Sequence, residues 1–343
     1  MVARHLFKLS QTLPHDRTEA GFRIKASKKN FPILQGMSLY KLLLHPNGVR
    51  EPHWHANADE LGYCLKGQAL INLYHTGDTR ECFLVEEGEV FLIPSGALHH
   101  IENVGNTDAE FVLTFSHEET EDFGISGTLG MFSDAVLGNT WGVKATVFAS
   151  LSRSSANIFA ALRKEPADIP AGVRYKTPYR YSLGSSQPIL RNEGGSARMA
   201  RQNVWPIAER QAVYLLELTG QGMREPHWHP ETAELGYVAK GCGRMSILNP
   251  LGKVETYVMQ EGDLYFIPPA YPHHIENLQQ DPLQVLVFFN RGMPSDVGFT
   301  GSIRSYSNEV LSTVMGCDPL FFDSLEKYPS DLFIVHKLNP VDP

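Results

Sequence analysis

Two histidines that flank a tryptophan, His53 and His55, are the first residues whose spacing indicates chemistry. Successive side chains of a strand point to opposite faces, so these two imidazoles point the same way. Glu60 follows after a short turn, and His99 follows a P-S-G turn before a separate predicted strand. Three imidazoles and one carboxylate suit Mn²⁺ or Fe²⁺, with positions left for water or substrate. The pattern predicts a divalent metal site, for which manganese is favoured.

The same set of residues occurs again 174 positions later. REPHWH begins at Arg50 and again at Arg224, and ELGY and HHIEN recur at the same offset. The second copy supplies His227, His229, Glu234 and His273. A single H-x-H usually reflects packing, but eight potential ligands that recur in register between the copies predict two metal ions per chain. His100 and His274 also recur, and strand alternation is expected to turn them away from the ligands.

Short strands are the elements expected to position these ligands. The runs EVFLIP, EFVLTF, DLYFIP and QVLVFF are rich in β-branched and aromatic residues and are bounded by turn residues. Each copy then ends in helical patches, with Ser133, Asp134, Ser307 and Asp318 near the predicted helix starts. The sequence therefore predicts an all-β fold of two jelly-roll units, with short helices after each barrel.

The repeat also predicts the domain organisation. We expect a first domain over residues 5–163, a linker over 164–178 and a second domain over 179–343. The linker contains three prolines, which disfavour a helix or a central strand. A length of 343 residues agrees with two domains.

Composition excludes several classes of protein. Hydrophobic residues make up 42% and charged residues 20%, as in globular proteins, and the net charge of −8 argues against a nucleic-acid partner. No apolar run approaches the ~18 residues of a membrane span, and the opening residues lack the apolar core of a signal peptide. We therefore expect no membrane association and a cytoplasmic location. The four cysteines share no position between the copies and are expected to be free thiols.

Two motifs carry a family resemblance. The pattern H-W-H-x4-E-x6-G over 53–67, followed by G-x5-P-x-G-x2-H-x3-N over 88–103, resembles the signature motifs of the cupin superfamily. The second copy matches with Ala270 in place of one glycine. The duplicated form resembles the bicupins of the oxalate decarboxylase group. This resemblance implies two tandem cupin barrels, each a double-stranded β-helix that holds manganese, with Fe²⁺ or another divalent ion as the alternative.

The resemblance also implies a substrate-binding role for Arg50 and Arg224. In the oxalate decarboxylase group an arginine just before the first ligand histidine binds the substrate carboxylate, and a planar guanidinium fits that role. Three residues separate Arg50 from His53, which would place them on opposite faces of an ideal strand. A bulge or bend near Pro52 is therefore required.

The family's proton-transfer glutamate, which lies on a mobile lid, has no match. The segment GISGT aligns with the lid and places Ile125 at that position, with Phe299 as its repeat partner. Val287 occupies the alternative acid position in the second barrel. Since none of these side chains transfers a proton, the catalytic residue is unknown and we expect little or no formate from oxalate. The acidic residues Glu118, Glu119, Glu121 and Asp122 either supply a substitute acid or form a solvated loop.

These observations favour a metal-dependent, oxalate-decarboxylase-like bicupin that acts on a small carboxylate. The enzyme class stays open between a lyase and a cupin-type oxidoreductase, because an iron dioxygenase would use the same ligands. A non-catalytic bicupin that binds metal and a small ligand is the third alternative. Besides the small-molecule ligand, a homo-oligomer is compatible with the helices, which are expected to pack on a neighbouring barrel.

Overall fold

The computed structural model describes residues 5–166, 169–171, 173, 176–326 and 328–341. Five positions of the predicted linker (167, 168, 172, 174 and 175) and three of the predicted second domain (327, 342 and 343) lie outside the described residues. The chain divides into two compact units, which we call the N-terminal unit (Gln11–Ser185) and the C-terminal unit (Met1–Ser10 with Ser186–Pro343). The boundaries drawn from the repeat remain a prediction.

Antiparallel strands dominate both units. Strands of the first half of the chain are β1 (Leu6–Phe7), β2 (Asp16–Thr18), β3 (Gly21–Ala26), β4 (Ser38–Leu44), β5 (Gly48–His55), β6 (Glu60–Lys66), β7 (Gln68–His75), β8 (Thr79–Glu86), β9 (Val90–Ile93), β10 (Leu98–Asn103), β11 (Ala109–Phe115), β12 (Asp122–Gly124) and β13 (Ala160–Leu162). Strands of the second half are β14 (Arg180–Tyr181), β15 (Leu190–Asn192), β16 (Gly195–Ala200), β17 (Ala212–Leu218), β18 (Gly222–Trp228), β19 (Glu234–Lys240), β20 (Cys242–Leu248), β21 (Val254–Gln260), β22 (Leu264–Ile267), β23 (His273–Asn277), β24 (Leu283–Phe289), β25 (Val297–Gly298) and β26 (Ile334–His336). Strands β9, β11, β22 and β24 cover most of the four runs named above.

Within the described part of the chain, each unit contains one seven-stranded and one six-stranded sheet. In the N-terminal unit the sheet orders are β14-β9-β6-β11-β4-β3-β2 and β12-β5-β10-β7-β8, with β13 paired to β5. In the C-terminal unit they are β1-β22-β19-β24-β17-β16-β15 and β21-β20-β23-β18-β25, with β26 paired to β18. Apolar side chains of the two sheets form the buried core of each unit. The predicted all-β fold of two jelly-roll barrels is confirmed.

The first strand of each repeat pairs outside its own copy. Strand β1 pairs with β22 in the C-terminal unit, and its repeat equivalent β14 pairs with β9 in the N-terminal unit. The register places Leu6 opposite Tyr265 and Arg180 opposite Phe91. The edge strand of each seven-stranded sheet is therefore contributed by the other sequence repeat.

Helices follow each barrel, as predicted. They are α1 (Ile125–Met131), α2 (Asp134–Trp141), α3 (Phe299–Ser302), α4 (Asn308–Met315) and α5 (Leu320–Asp323), with short 3-10 turns at Leu9–Gln11, Ala145–Phe148 and Ile303–Ser305. The Ser133 and Ser307 side chains accept hydrogen bonds from backbone N–H groups in the first turns of α2 and α4. Gly142 and Gly316 end these helices with φ of 65° and 66°, a conformation that favours glycine. Among the described helices, none has the length and apolar character needed to cross a bilayer.

The glycine of the repeated ELGY motif is explained by close packing. A Cβ atom on Gly62 would lie 2.1 Å from the Phe91 ring, and one on Gly236 would lie 2.0 Å from the Tyr265 ring. These aromatic side chains cross directly over the strand that begins with the ligand glutamate. Cys64, Cys82, Cys242 and Cys317 are free thiols, as expected.

Candidate metal centres

Two adjacent strands and the start of a third bring the first ligand set together. His53 and His55 lie on β5, and His99 on β10 is the antiparallel partner of His53. Glu60 is the first residue of β6, in the other sheet of the unit. All four side chains are buried, and one potential ligand atom from each lies within 4.8 Å of all the others.

The second set has the same construction. His227 lies on β18 and is the partner of His273 on β23, while Glu234 begins β19. His229 directly follows the last residue of β18. These four side chains are also buried, with ligand atoms within 4.8 Å of one another. The structure thus brings together all eight predicted ligands in two separate groups.

Backbone carbonyl groups fix the orientation of most of these imidazoles. Nδ1 of His53 lies 2.8 Å from the Glu51 carbonyl oxygen, and Nδ1 of His99 lies 3.0 Å from that of Ala97. A carbonyl oxygen only accepts, so Nδ1 must donate and Nε2 presents a lone pair to the centre. The same holds in the C-terminal site, where the carbonyl acceptors for His227, His229 and His273 belong to Glu225, Ser295 and Tyr271.

The first group of ligand atoms fits a cation. Nε2 of His55 lies 2.8 Å and Nε2 of His99 lies 3.2 Å from Oε2 of Glu60. Because Nδ1 of His55 is 2.9 Å from an oxygen of Asp122, its proton lies on that side and two acceptors face each other at the centre. Within the described residues, Oε1 of Glu60 is buried with no hydrogen-bond partner. A divalent ion would satisfy these lone pairs.

The pKa values of His53 and Glu60 suit metal binding. Burial lowers the pKa of His55, but its contacts with Asp122 and Glu60 outweigh burial and raise it. Burial, followed by the nearby charge of Arg50, holds the pKa of His53 well below its usual range. Burial alone would raise the pKa of Glu60, but contacts with the imidazoles of His55 and His99 lower it to about 2. A neutral imidazole and an ionised carboxylate are the forms that bind a metal ion.

A bulge turns each predicted substrate-binding arginine toward the ligands. His53 pairs with His99 and Arg50 pairs with Ile101, so three residues of β5 span the distance covered by two on β10. The bulge lies beside Pro52, where the alternation of side chains along the strand requires one if Arg50 is to face the ligands. Arg50 therefore lines the same small cavity, of ≈ 10 Å³, as His53 and His55. The corresponding shift in β18 places Arg224 in the equivalent ≈ 10 Å³ cavity of the C-terminal unit.

Both guanidinium groups are buried and held by polar partners. Nη1 of Arg50 donates to the Phe159 carbonyl oxygen at 2.9 Å, and Nη2 donates to Oδ2 of Asp122 at 3.2 Å. Burial and then the neighbouring charge of Arg23 lower the pKa of Arg50 to about 10, so it stays a cation at neutral pH. Arg224 repeats these contacts with the Phe333 carbonyl oxygen, at 2.9 Å, and with Asp296.

Of the acidic residues 118–122, Asp122 is the one in contact with a metal ligand. Its Oδ1 accepts from His55, and its Oδ2 accepts from Arg23 and Arg50. Burial raises its pKa, but the hydrogen bond from His55 and the charge of Arg23 outweigh burial and hold that pKa far below its usual range. Asp122 is therefore ionised and does not donate a proton. Glu118 instead accepts from the Gly36 N–H.

The three apolar residues that align with the acid positions of the oxalate decarboxylase group lie in different places in the fold. Ile125 begins α1 and Phe299 begins α3, and neither belongs to the residues that line the two small cavities. Val287 does line the C-terminal cavity. We call residues 122–131 and 296–302 the lid segments. In the first, β12 pairs antiparallel with β5, and in the second, β25 pairs antiparallel with β18.

A buried glutamate fastens each lid segment. Glu51 accepts from the N–H and hydroxyl of Ser126, at 3.2 and 2.6 Å, and from the Phe159 N–H at 2.9 Å. Glu225 makes the same contacts with Thr300 and Phe333. The sequence signal for this role was an acidic residue repeated between the arginine and the first histidine, but its buried environment is visible only in the fold.

A sequence model of the cupin family matches residues 7–147 and 181–319. The chain belongs to the cupin family. It is a bicupin, since each match covers one of the two barrels.

The bicupin is similar in sequence and structure to oxalate decarboxylases. It is 28% identical over 338 residues to oxalate decarboxylase OxdC of Bacillus subtilis, an alignment that covers 96% of this chain and 86% of that protein. A solved structure of the Bacillus subtilis oxalate decarboxylase superposes with a TM-score of 0.87 at 24% identity, covering 98% of this chain and 88% of that one. A second structure of that enzyme, from a study of its Mn(II) centres, gives a TM-score of 0.88 at 24% identity, covering 98% and 90% of the two chains.

A shorter match relates the bicupin to an oxidase. Oxalate oxidase GF-2.8 of Triticum aestivum is 35% identical over 86 residues, which is 24% of this chain and 38% of that protein.

Proposed function

We propose that this bicupin is a manganese-dependent enzyme of the oxalate-decarboxylase-like group that acts on a small carboxylate. The observation that carries the proposal is one shared cavity in each unit, lined by a buried arginine together with metal-ligand side chains. A carboxylate in that cavity would meet a guanidinium on one side and the metal position on the other. Each cavity measures ≈ 10 Å³, about the room of one water molecule, so a carboxylate binds only if lining side chains shift.

The donor atoms favour manganese or iron over zinc. Four ligands complete a tetrahedral zinc site, whereas an octahedral ion keeps two positions open for a carboxylate. We therefore propose two Mn²⁺ ions per chain, held by His53, His55, Glu60 and His99 and by His227, His229, Glu234 and His273. When bound, manganese supplies Lewis-acid polarisation of the carboxylate. The protein's own residues orient the substrate through Arg50 or Arg224, while Ile101, Phe115 and their repeat partners exclude water.

Replacing either arginine by lysine is expected to weaken carboxylate binding at its own site. An ammonium cannot reproduce the bidentate fork, and losing one charge-assisted contact costs ~1.5–3 kcal/mol, or roughly 10- to 150-fold in affinity. Oxalate and acetate would be titrated into manganese-loaded protein and followed by the magnetic resonance spectrum of the metal. Exposed Arg80→Lys serves as the control. Unchanged affinity in both Arg50→Lys and Arg224→Lys would remove the support for a carboxylate substrate.

Oxidation of the same carboxylate is a second candidate reaction, and the ionised state of Asp122 favours it. Decarboxylation of oxalate to formate and carbon dioxide needs a proton delivered to carbon. Oxidation by dioxygen instead converts oxalate and two protons to two carbon dioxide molecules and hydrogen peroxide, and needs no protonated acid beside the metal. We expect hydrogen peroxide to exceed formate when manganese-loaded protein is incubated with oxalate in air.

Product analysis separates these reactions. Formate, carbon dioxide and peroxide would be measured in air and under argon, with metal-free protein as the control. Formate as the main product, independent of dioxygen, would contradict the oxidative reaction and would require a proton donor other than ionised Asp122. The cytoplasmic location and the homo-oligomer stay predictions.

A further inference from the structure

A second buried arginine, Arg23, lies at the N-terminal site. It lies on β3 and is 6% exposed. Its Nη1 donates to Oδ2 of Asp122 at 2.6 Å, and its Nε donates to Oδ2 of Asp16 at 2.9 Å. The Asp16 side chain is 29% exposed, so solvent screens its charge in part. The guanidinium is thus anchored from the surface side and directed toward the cavity.

Arg23 and Arg50 form one pair of neighbouring cations. Both line the cavity that contains the metal-ligand side chains, and both donate to the same oxygen of Asp122. Their guanidinium carbons lie 5.2 and 5.3 Å from the centre of the Phe159 ring. Because Asp122 uses its other oxygen for His55, a ligand carboxylate can compete for the two guanidinium groups without displacing the bond to the histidine.

The C-terminal site has no counterpart of this pair in the described residues that line it. The repeat partner of Arg23 is Ala197, and Arg224 is the single arginine among the residues that line the C-terminal cavity. The remaining apolar positions correspond closely, with Leu42, Ile101 and Phe115 matched by Leu216, Ile275 and Phe289. The two cavities therefore differ in this positive charge and in Tyr214 and Phe333, which line only the C-terminal cavity.

We propose that Arg23 is a specificity-determining residue of the N-terminal site, where it binds the second carboxylate of a dicarboxylate ligand. This inference rests on the proposed function, because it assigns the second half of a ligand whose first carboxylate lies against Arg50 and the metal position. The N-terminal site then prefers a dianion to a monoanion, and the C-terminal site, with one guanidinium, discriminates less. Two neighbouring guanidinium groups match two adjacent carboxylates in number and charge.

The test measures charge selectivity in one site at a time. His229→Ala isolates the N-terminal site and His55→Ala isolates the C-terminal site. Binding of oxalate and of acetate to the manganese-loaded proteins would be measured by calorimetry. In the His229→Ala background, Arg23→Gln should weaken oxalate binding roughly 10- to 150-fold and change acetate binding by less than about threefold. Arg17→Gln, on the neighbouring strand β2 and exposed, should leave both affinities unchanged.

The outcomes separate binding from a structural role. Equal weakening of oxalate and acetate binding would overturn the proposal, because Arg23 would then only position Arg50 through Asp122. No change in either affinity would also overturn it, because Arg23 would then contribute nothing to ligand binding. Arg23→Lys keeps a cation beside Asp122 and guards against misfolding; it should still lose part of the preference for oxalate. In the His55→Ala background, Arg23→Gln should not alter oxalate binding, and a change there would also count against the proposal. If the parent sites bind neither anion, the proposed function itself fails.

Discussion

Replacing His55 by alanine is expected to remove one of two divalent ions from the chain and to leave the other in place. The Nε2 atom of His55 lies 2.8 Å from Oε2 of Glu60, so the substitution deletes a ligand from the middle of the N-terminal set. Loss of outer-shell partners alone typically costs 10–100-fold in metal affinity, so loss of a direct ligand should exceed ~100-fold. His229→Ala should have the same effect on the C-terminal set.

Elemental analysis of purified protein after reconstitution with Mn²⁺ measures this directly. We expect about two ions for the parent chain and about one for each variant. His100→Ala is the matched control: it neighbours His99, but its Nε2 lies 3.3 Å from Asn72 on the other face of the strand and 3.7 Å from Glu102. A parent stoichiometry near zero would contradict both metal centres. Loss of both ions in a single variant would show that the two sites are not independent.

The second large effect is expected on stability, from Glu51→Ala. Glu51 is 3% exposed and accepts three hydrogen bonds that join the lid segment and the Phe159 backbone to β5. It also lies 3.7 Å from the buried Arg50. Removing one partner of a buried charged pair costs about 3–5 kcal/mol. For a unit of this size that corresponds to a fall in Tm of about 6–20 °C.

Thermal unfolding of the parent and the variant would be compared, with hydrogen exchange to locate the change. Glu121→Ala is the control, since Glu121 is exposed and immediately precedes the lid segment. Its substitution should change the free energy of unfolding by no more than ~0.5 kcal/mol. We expect faster exchange in α1 for Glu51→Ala alone. Equal stability and equal exchange in the two variants would show that Glu51 does not fasten the lid segment.

The ligand sets were predictable because strand alternation and an exact repeat constrain them together. Alternation puts His53 and His55 on one face, and the repeat shows that the pattern is not accidental. The bulge beside Pro52 was predictable as a requirement, since Arg50 reaches the site only if β5 gains a residue. Each of these inferences depends on local geometry over a few residues.

Contacts between distant segments were not predictable in the same way. Arg23 has no repeat partner of its type, and its position beside Asp122 depends on pairing between residues 99 positions apart. Asp122 appeared only as one member of an acidic run, because nothing local distinguishes it from the other acidic residues of that run. Glu51 was visible in the repeated motif, but its contact with Ser126, 75 positions away, follows from how the lid segment lies along β5.

The pairing of β1 with β22 has a consequence for the order of biosynthesis. Leu6 and Phe7 are synthesised more than 250 residues before their partners, Tyr265 and Leu264. At translation rates of about 5–20 residues per second, this strand waits on the order of tens of seconds for its sheet. During that interval its N–H and C=O groups have no native partner, whereas β14 meets an N-terminal sheet that has already been synthesised. The second barrel is therefore completed by a strand that is synthesised before the rest of that barrel, and the first barrel by a strand that is synthesised after it.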